Sequence, residues 1–486
     1  MKKKLLGMVL ASAVLAGALA GCGSGNSGSS SAGDAGNSAA DANAPADANA
    51  PAETGGADTE AAAGGTEGAV LNIWCWNDEF QSRFNDYYPD VESVSDDKST
   101  TTLTNGVVVK WTINPTTDNN YQNKLDEALM AQGSASDDDK IDIFLLEADY
   151  ALKYVGEDVD VAVPLSELGI TADDLADQYQ YTKDIVSDAN GQQRAASWQA
   201  APGLFAYRRS IAKEVLGTDD PDEVQAALAD WSKFNEVAAQ AKDKGYYMLS
   251  GYQDSFRTFS NNVDKPWVEG TTVTVDPNIV AWIEQTKEFT DKGYNHKSSL
   301  WSDTWAQDQG ADGKVFGFFY STWGINFTLV GNAGEAGFGD WAVCQGPQPY
   351  YWGGTWIAAA RGTDNPALVK DVMIKLTCTK SIMKAMTENR SIQDYTNTVS
   401  GMQEIAADPD FQSEFLGGQN HIALFSEVAP TIDMSNVSAY DQGCNEQIQN
   451  AFGDYFDGNI DLDTAKGNFE TAIKELYPEI TEVVWP

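Results

Sequence analysis

The run Ile141-Asp-Ile-Phe-Leu-Leu146 leads without a break into Glu147-Ala148-Asp149-Tyr150. A short, nearly continuous apolar run of this kind reads as a strand buried on both faces, as in a parallel sheet. The polar tail falls where the strand would end, and ligands of open α/β sheets bind outside the carboxyl ends of strands. The arrangement recurs upstream. Val70-Leu-Asn-Ile-Trp-Cys-Trp76 is strand-like and opens onto Asn77, Asp78 and Glu79. Val107 to Ile113 is a further strand, and the polar stretch from Ser93 to Asn105 reads as an inserted loop. Helical patterns alternate with these runs. Tyr121, Leu125 and Leu129 recur at helical spacing. Asp220-Pro221 reads as an N-cap followed by Pro in the first turn, with Gly245 closing the next helical stretch. Asn365-Pro366 opens another helix in the same way, with Leu368, Val372 and Leu376 on one face. Val315 to Tyr320 and Trp341 to Cys344 are later strands. This alternation is an α/β signature.

Composition narrows the function. The chain has 486 residues, 42% of them hydrophobic, enough for sizeable cores and two or three domains. Its 72 Asp and Glu outnumber 31 Lys and Arg, for a net charge of −41. That balance argues against nucleic acid and against docking on anionic lipid, both of which need clustered cations. His296 and His421 are the only two histidines, so a histidine-dependent nucleophilic mechanism or a His-rich metal site is not expected. Besides Cys22 the cysteines are Cys75, Cys344, Cys378 and Cys444. No C-x-x-C pair occurs, and Cys75 and Cys344 read as small core residues. An exported chain can form disulfides, but spacing does not choose a pairing here. The stretch that begins Asp457 to Asp463 lacks the glycine at the sixth position of a calcium loop and its closing glutamate, and reads as a turn with a helix N-cap. No metal, cofactor or catalytic residue is expected.

The N-terminus reads as an export signal. Lys2, Lys3 and Lys4 precede an apolar stretch from Leu5 to Leu19 that is too short for a comfortable membrane span. It ends in Leu19-Ala20-Gly21-Cys22, which resembles a bacterial lipobox. The resemblance implies removal of residues 1–21 and a diacylglycerol on the Cys22 sulfur. Residues 22–68 are rich in Gly, Ser, Ala, Asn, Asp and Pro and hold no Lys or Arg. They cannot bury enough surface to fold, and as a coil they span roughly 35–40 Å.

Tryptophans carry the functional hint. Trp74, Trp76, Trp198, Trp301, Trp305, Trp323, Trp352 and Trp356 lie at the ends of expected strands or in the loops after them. Polar planar neighbours accompany many of them, such as Gln199 after Trp198. Tyr252 leads into Gln253 and Asp254, then Phe256 and Arg257. Sugars need flat apolar surfaces for their C–H faces and fixed donors and acceptors for their hydroxyls. Trp74, inside its strand, is expected in the core.

The chain resembles the lipid-anchored extracellular solute-binding proteins, family 1, of bacterial carbohydrate ABC transporters, the family that includes maltose-binding protein. The segments that carry the resemblance are 71–80, 142–150, 197–209, Tyr320-Ser-Thr-Trp-Gly324 and Trp352-Gly-Gly-Thr-Trp356. It implies a two-lobed periplasmic-binding-protein-like fold of type II, with hinge crossovers and a ligand cleft between the lobes. The implied N-terminal lobe is 69–199 plus 352–395, and the C-terminal lobe is 200–351 plus 396–486. Crossings fall near Ser197 to Pro202, Tyr350 to Thr355 and Ser391 to Thr398. Asn77, Asp78 and Glu79, then Glu147, Asp149 and Tyr150, map to loops that hydrogen-bond sugar hydroxyls. Trp323 maps to a stacking platform. Trp352, Gly353, Gly354 and Trp356 map to a crossover beside the cleft, faced by Tyr252, Gln253 and Asp254. Trp76, Trp198 and Gln199 complete the expected ligand-facing set. The polar insertion at 93–105 and the lack of a Lys after Asp78 depart from the maltose-binding pattern and point away from maltose.

The function implied is a monomeric, non-enzymatic receptor on the extracellular face of the cell membrane. It would capture a mono- or oligosaccharide and deliver it to the permease subunits of the transporter. Two other readings stay open: a binding protein for a polyamine or peptide, and a surface glycoside hydrolase using a carboxylate pair such as Asp78 with Glu147.

Overall fold

Alternation of apolar side chains builds the first strand, where Leu71, Ile73 and Cys75 are fully buried and share one face. The structure is a computed structural model that describes residues 68–156, 159–188, 190–389 and 393–486. The export signal, Cys22 and the linker as far as Glu67 lie outside the described residues.

The strands in chain order begin with β1 (Val70–Cys75), β2 (Val91–Val94), β3 (Thr100–Leu103), β4 (Val108–Ile113), β5 (Ile143–Glu147), β6 (Ala196–Gln199), β7 (Gly203–Arg208) and β8 (Leu249–Gly251). They continue with β9 (Val268–Glu269), β10 (Thr272–Thr274), β11 (Asn295–Ser298), β12 (Gly317–Ser321), β13 (Trp341–Cys344), β14 (Thr355–Ala359) and β15 (Glu482–Val484). One lobe is built on a seven-stranded sheet of order β2-β3-β4-β1-β5-β14-β6. In it β1 runs parallel to β4 and β5, and β14 runs antiparallel to β5 and β6. The other lobe holds the antiparallel sheet β12-β7-β13 and the parallel pair β11-β8, linked by a bridge between Tyr247 and Val315. Its outer part carries the small sheet β15-β10-β9.

The expected strands are present within one or two residues of their ends. Asp142, the acidic residue within the run 141–146, is fully buried. It accepts the Asn72 amide at 2.7 Å and the Asn365 carboxamide at 3.1 Å, so its hydrogen bonds tie β1 and β5 to the start of the helix Pro366–Thr377. Asn365 therefore does not cap that helix with its side chain, whereas Asp220 caps the helix Pro221–Ala227 as expected, accepting from Asp222 and Glu223. Tyr121, Leu125 and Leu129 are buried on the helix Asn120–Ala131. Asp461 caps the helix Leu462–Leu476 and Gly458 makes the preceding turn.

One expectation fails. Residues 93–105 are not a loop but form most of the hairpin β2–β3, which extends the sheet beyond β4. The inward positions are Thr101 and Leu103, both fully buried. Thr101 donates its hydroxyl to Asn85 at 2.7 Å and accepts the Trp111 indole N–H at 3.0 Å. A threonine that packs through hydrogen bonds carries little hydropathy signal, which is why the stretch reads as polar.

The connections between the two lobes run side by side. Gly203 donates to the Tyr350 carbonyl at 2.7 Å, Trp352 to Ala201 at 3.0 Å and Ala200 to Tyr395 at 3.1 Å. All four cysteines among the described residues are free. Among the described residues no helix is long and apolar enough to cross a membrane, and no cluster of His, Cys, Asp or Glu is arranged to hold a metal ion.

Candidate functional site

The carboxyl ends of β1, β5 and β6 open into a cleft of about 730 Å³. Its walls include Trp76, Asn77, Asp78, Glu79, Glu147, Asp149, Tyr150, Gln199, Trp323, Trp352, Gly353 and Gly354. The fold thus brings these expected residues into one space, although they come from five separate stretches of chain.

Local chemistry explains the placement. The Asn77 side chain accepts the Glu79 amide at 3.1 Å, which turns the chain out of β1 into the helix Glu79–Tyr87. The Glu147 side chain accepts the Asp149 amide at 2.8 Å and makes the corresponding turn after β5. Trp76 meets the edges of Tyr121 and Tyr150, at 5.7 and 6.4 Å between ring centres. Across the cleft, Trp323 donates its indole N–H to the Trp352 carbonyl at 2.8 Å. Trp301, Trp323 and Trp352 form a triangle with ring centres 5.2, 5.9 and 6.3 Å apart. The backbone leaves only glycine room beside them. A Cβ on Gly353, whose φ is +77°, would stand 3.0 Å from the Trp323 indole nitrogen. Trp301 itself has φ +66° and is 55% exposed. A bulky residue in the left-handed region is a strained one, and such strain collects at functional sites. The chain after Trp323 winds as a π-helix over Gly324–Leu329, another feature found often at such sites.

Two guanidinium–carboxylate pairs set the electrostatics. Arg257 holds Asp149 through two hydrogen bonds of 2.9 and 2.6 Å and lies 5.6 Å from the Trp352 ring centre. Burial opposes ionisation of Asp149, but the Arg257 charge and these bonds outweigh it and keep its carboxyl below the usual range. Glu147 is pushed up to about 8, first by burial and then by the neighbouring Asp149 charge. Arg83 pairs with Asp394 at 2.7 Å and stands 3.8 Å from Glu79. Burial, followed by the Asp394 charge, raises Glu79 to about 7, against the pull of Arg83 and a bond from Gln199.

Five expected residues lie elsewhere. Trp198 is fully buried against Phe80 and beneath Arg83. Trp356 is 1% exposed and donates to the Thr182 carbonyl at 2.7 Å. Both follow from strand alternation: Gln199 and Thr355 take the cleft, so their neighbours Trp198 and Trp356 are turned away from it. Tyr252 donates its hydroxyl to Asp457 and packs on Phe456, so it faces the outer helices. Gln253 and Asp254 line a smaller adjoining chamber. Asp254 is committed there to the Ser250 and Gly251 amides and the Trp305 indole.

The expected set omits Arg83, Arg257, Trp301, Phe327, Asp394 and Gln442, all on the cleft wall. Arg83 carried a signal, standing one helical turn after Glu79. Phe327, 80% exposed at the π-helix, carried none.

The chain belongs to the bacterial extracellular solute-binding protein family, whose model matches residues 99–414. No curated protein sequence matches it. Among solved structures it is similar to an extracellular solute-binding protein of family 1, at 17% identity and TM-score 0.65, over 85% of this chain and 100% of that one. It is also similar to the ABC transporter associated binding protein of B. animalis subsp. lactis Bl-04, in complex with β-1,6-galactobiose. There the identity is 16% and the TM-score 0.61, over 86% of this chain and 100% of the other. A third similar structure is the galacto-N-biose-/lacto-N-biose I-binding protein of Bifidobacterium longum with lacto-N-biose, at 13% identity and TM-score 0.59, over 85% and 98% of the two chains. At these identities the likeness is one of fold: two lobes around a cleft.

Proposed function

We propose that this solute-binding protein is a carbohydrate receptor of an ABC importer. The observation that carries the reading is the cleft itself. Indole rings from Trp76 on one side and Trp301, Trp323 and Trp352 on the other enclose carboxylates and carboxamides in a single space. Rings take the apolar faces of a pyranose, and Asn77, Asp78, Glu79, Glu147, Asp149, Tyr150 and Gln199 take its hydroxyls. The galactobiose and lacto-N-biose bound by the two bifidobacterial proteins are consistent with such a solute.

In this reading the N-terminal lobe is 69–199 plus 352–395 and the C-terminal lobe 200–351 plus 396–486. A sugar that touches both favours the closed form by its differential affinity, and the permease recognises that form. No bond is made or broken. The chain is exported, cut before Cys22, held by lipid on that sulfur and active as a monomer on the outer face of the membrane. A Cys22→Ala protein that still labels with palmitate and stays in membranes overturns the anchor.

Isothermal titration against mono- and oligosaccharides tests the main reading: micromolar or tighter binding of a sugar is expected, and no binding across a broad panel removes it. A second reading has one specific observation behind it. Both guanidiniums of the cleft are already paired with carboxylates, which leaves the wall acidic enough for a polyamine. Spermidine binding in place of sugar would select it. Release of sugar from a polysaccharide by the purified protein would instead make it a hydrolase.

A further inference from the structure

Behind the cleft lies a second, smaller chamber of about 210 Å³. Asp149, Arg257, Trp301 and Trp352 line both spaces, so the ion pair and two of the indoles form a shared wall. Gln442 and Glu446 of the helix Asp441–Phe456 belong to the shared wall as well; the rest of the chamber comes from that helix, the loop after β8, Phe256, Leu300, Phe319 and Tyr350.

Of the four carboxamides that line this chamber, Gln442 is bonded at both ends and the other three are each fixed at one end. Gln253 accepts the Leu300 amide through its oxygen at 2.9 Å. Asn445 accepts the Trp267 indole N–H at 3.0 Å. Gln449 donates its amide to the Asn445 carbonyl at 2.8 Å. Among the described residues nothing bonds the opposite ends, so two NH₂ groups and one carbonyl oxygen are held in place with capacity to spare. Oriented carboxamides beside indole rings are a second instance of the surface that receives a sugar in the outer cleft. Together the two spaces approach the upper part of the ~300–1,000 Å³ range of small-molecule sites, more than one hexose fills.

We propose that the inner chamber is a second carbohydrate subsite reached past the Asp149–Arg257 pair, and that the solute is an oligosaccharide with a terminal unit seated there. This rests on the carbohydrate reading given above.

Titration calorimetry with the intact protein and a ladder from monosaccharide to pentasaccharide, in gluco- and galacto-configured series, tests it. Affinity is expected to step up by about tenfold or more at the length that first reaches the chamber, as one added set of sugar contacts would give. Gln449→Phe, which fills the chamber and removes only a bond within its own helix, is expected to abolish that step while changing the affinity of shorter sugars by no more than about twofold. Gln449→Ala, a milder change for use if the Phe variant unfolds, is expected to shrink the step. Affinity indifferent to chain length, or a step that survives whichever of these variants folds, overturns the chamber and leaves the receptor reading standing. If no sugar in the ladder binds, both fall.

Discussion

Asp149 and Arg257 face each other as a fork, with two hydrogen bonds of 2.9 and 2.6 Å running from the helix Phe256–Ser260 to the turn after β5. The pair joins one sheet system to the other. Its side chains remain 29% and 25% exposed, so it stands between the weak surface pair and the strong buried one.

Replacing Arg257 by Ala strands Asp149 next to Glu147. A destabilisation of ~1–3 kcal/mol is expected, between the surface and buried limits, read from urea denaturation midpoints. Arg257→Lys keeps the charge but loses the fork and is expected to fall between the two. Small-angle scattering of the sugar-free protein should show Arg257→Ala more expanded than the parent.

Stability should depend on pH through the raised glutamates. Their folded values, about 8 for Glu147 and about 7 for Glu79, lie above the ordinary 4.5. The folded state therefore holds these protons more tightly than the unfolded chain. Their contribution is complete below pH 4.5 and is lost as pH rises through 7 and 8. The melting temperature of the sugar-free protein is expected to fall across that window, and Glu147→Gln to flatten the fall. A profile identical in parent and variant would show that Glu147 does not titrate there.

Trp323→Ala should weaken sugar binding by ~1–3 kcal/mol, by analogy with removal of a ring stacked on a nucleic-acid base. Ligand-induced change in tryptophan fluorescence should diminish with it. Unchanged affinity would take Trp323 out of the site.

Gly353→Ala places a methyl 3.0 Å from the Trp323 nitrogen at a φ of +77°. The left-handed backbone alone costs about 1–2 kcal/mol for a residue with a Cβ. Displacement of the indole adds a loss of affinity, so calorimetry and thermal unfolding should both register the change.

The strands were legible because their apolar runs are dense, and the cleft loops because polar residues follow those runs directly. What escaped did so for physical reasons. Thr101 packs by hydrogen bonds and so hid the β2–β3 hairpin. Trp198 and Trp356 have the composition of ligand platforms but the wrong parity along their strands, and parity is fixed by a register that no local pattern states. Arg257 and Asp394 reach the cleft only because distant segments fold beside it.

The three segments that connect the lobes are hydrogen-bonded to one another. Ala200, Ala201 and Gly203 bond laterally to Tyr350, Trp352 and Tyr395, so the straps form a narrow ribbon rather than independent tethers. A ribbon flexes readily about one line and resists torsion and sliding. In the proposed receptor, opening and shutting would therefore trace a single arc, and the separation of the two outer rims would gauge whether the jaws hold anything.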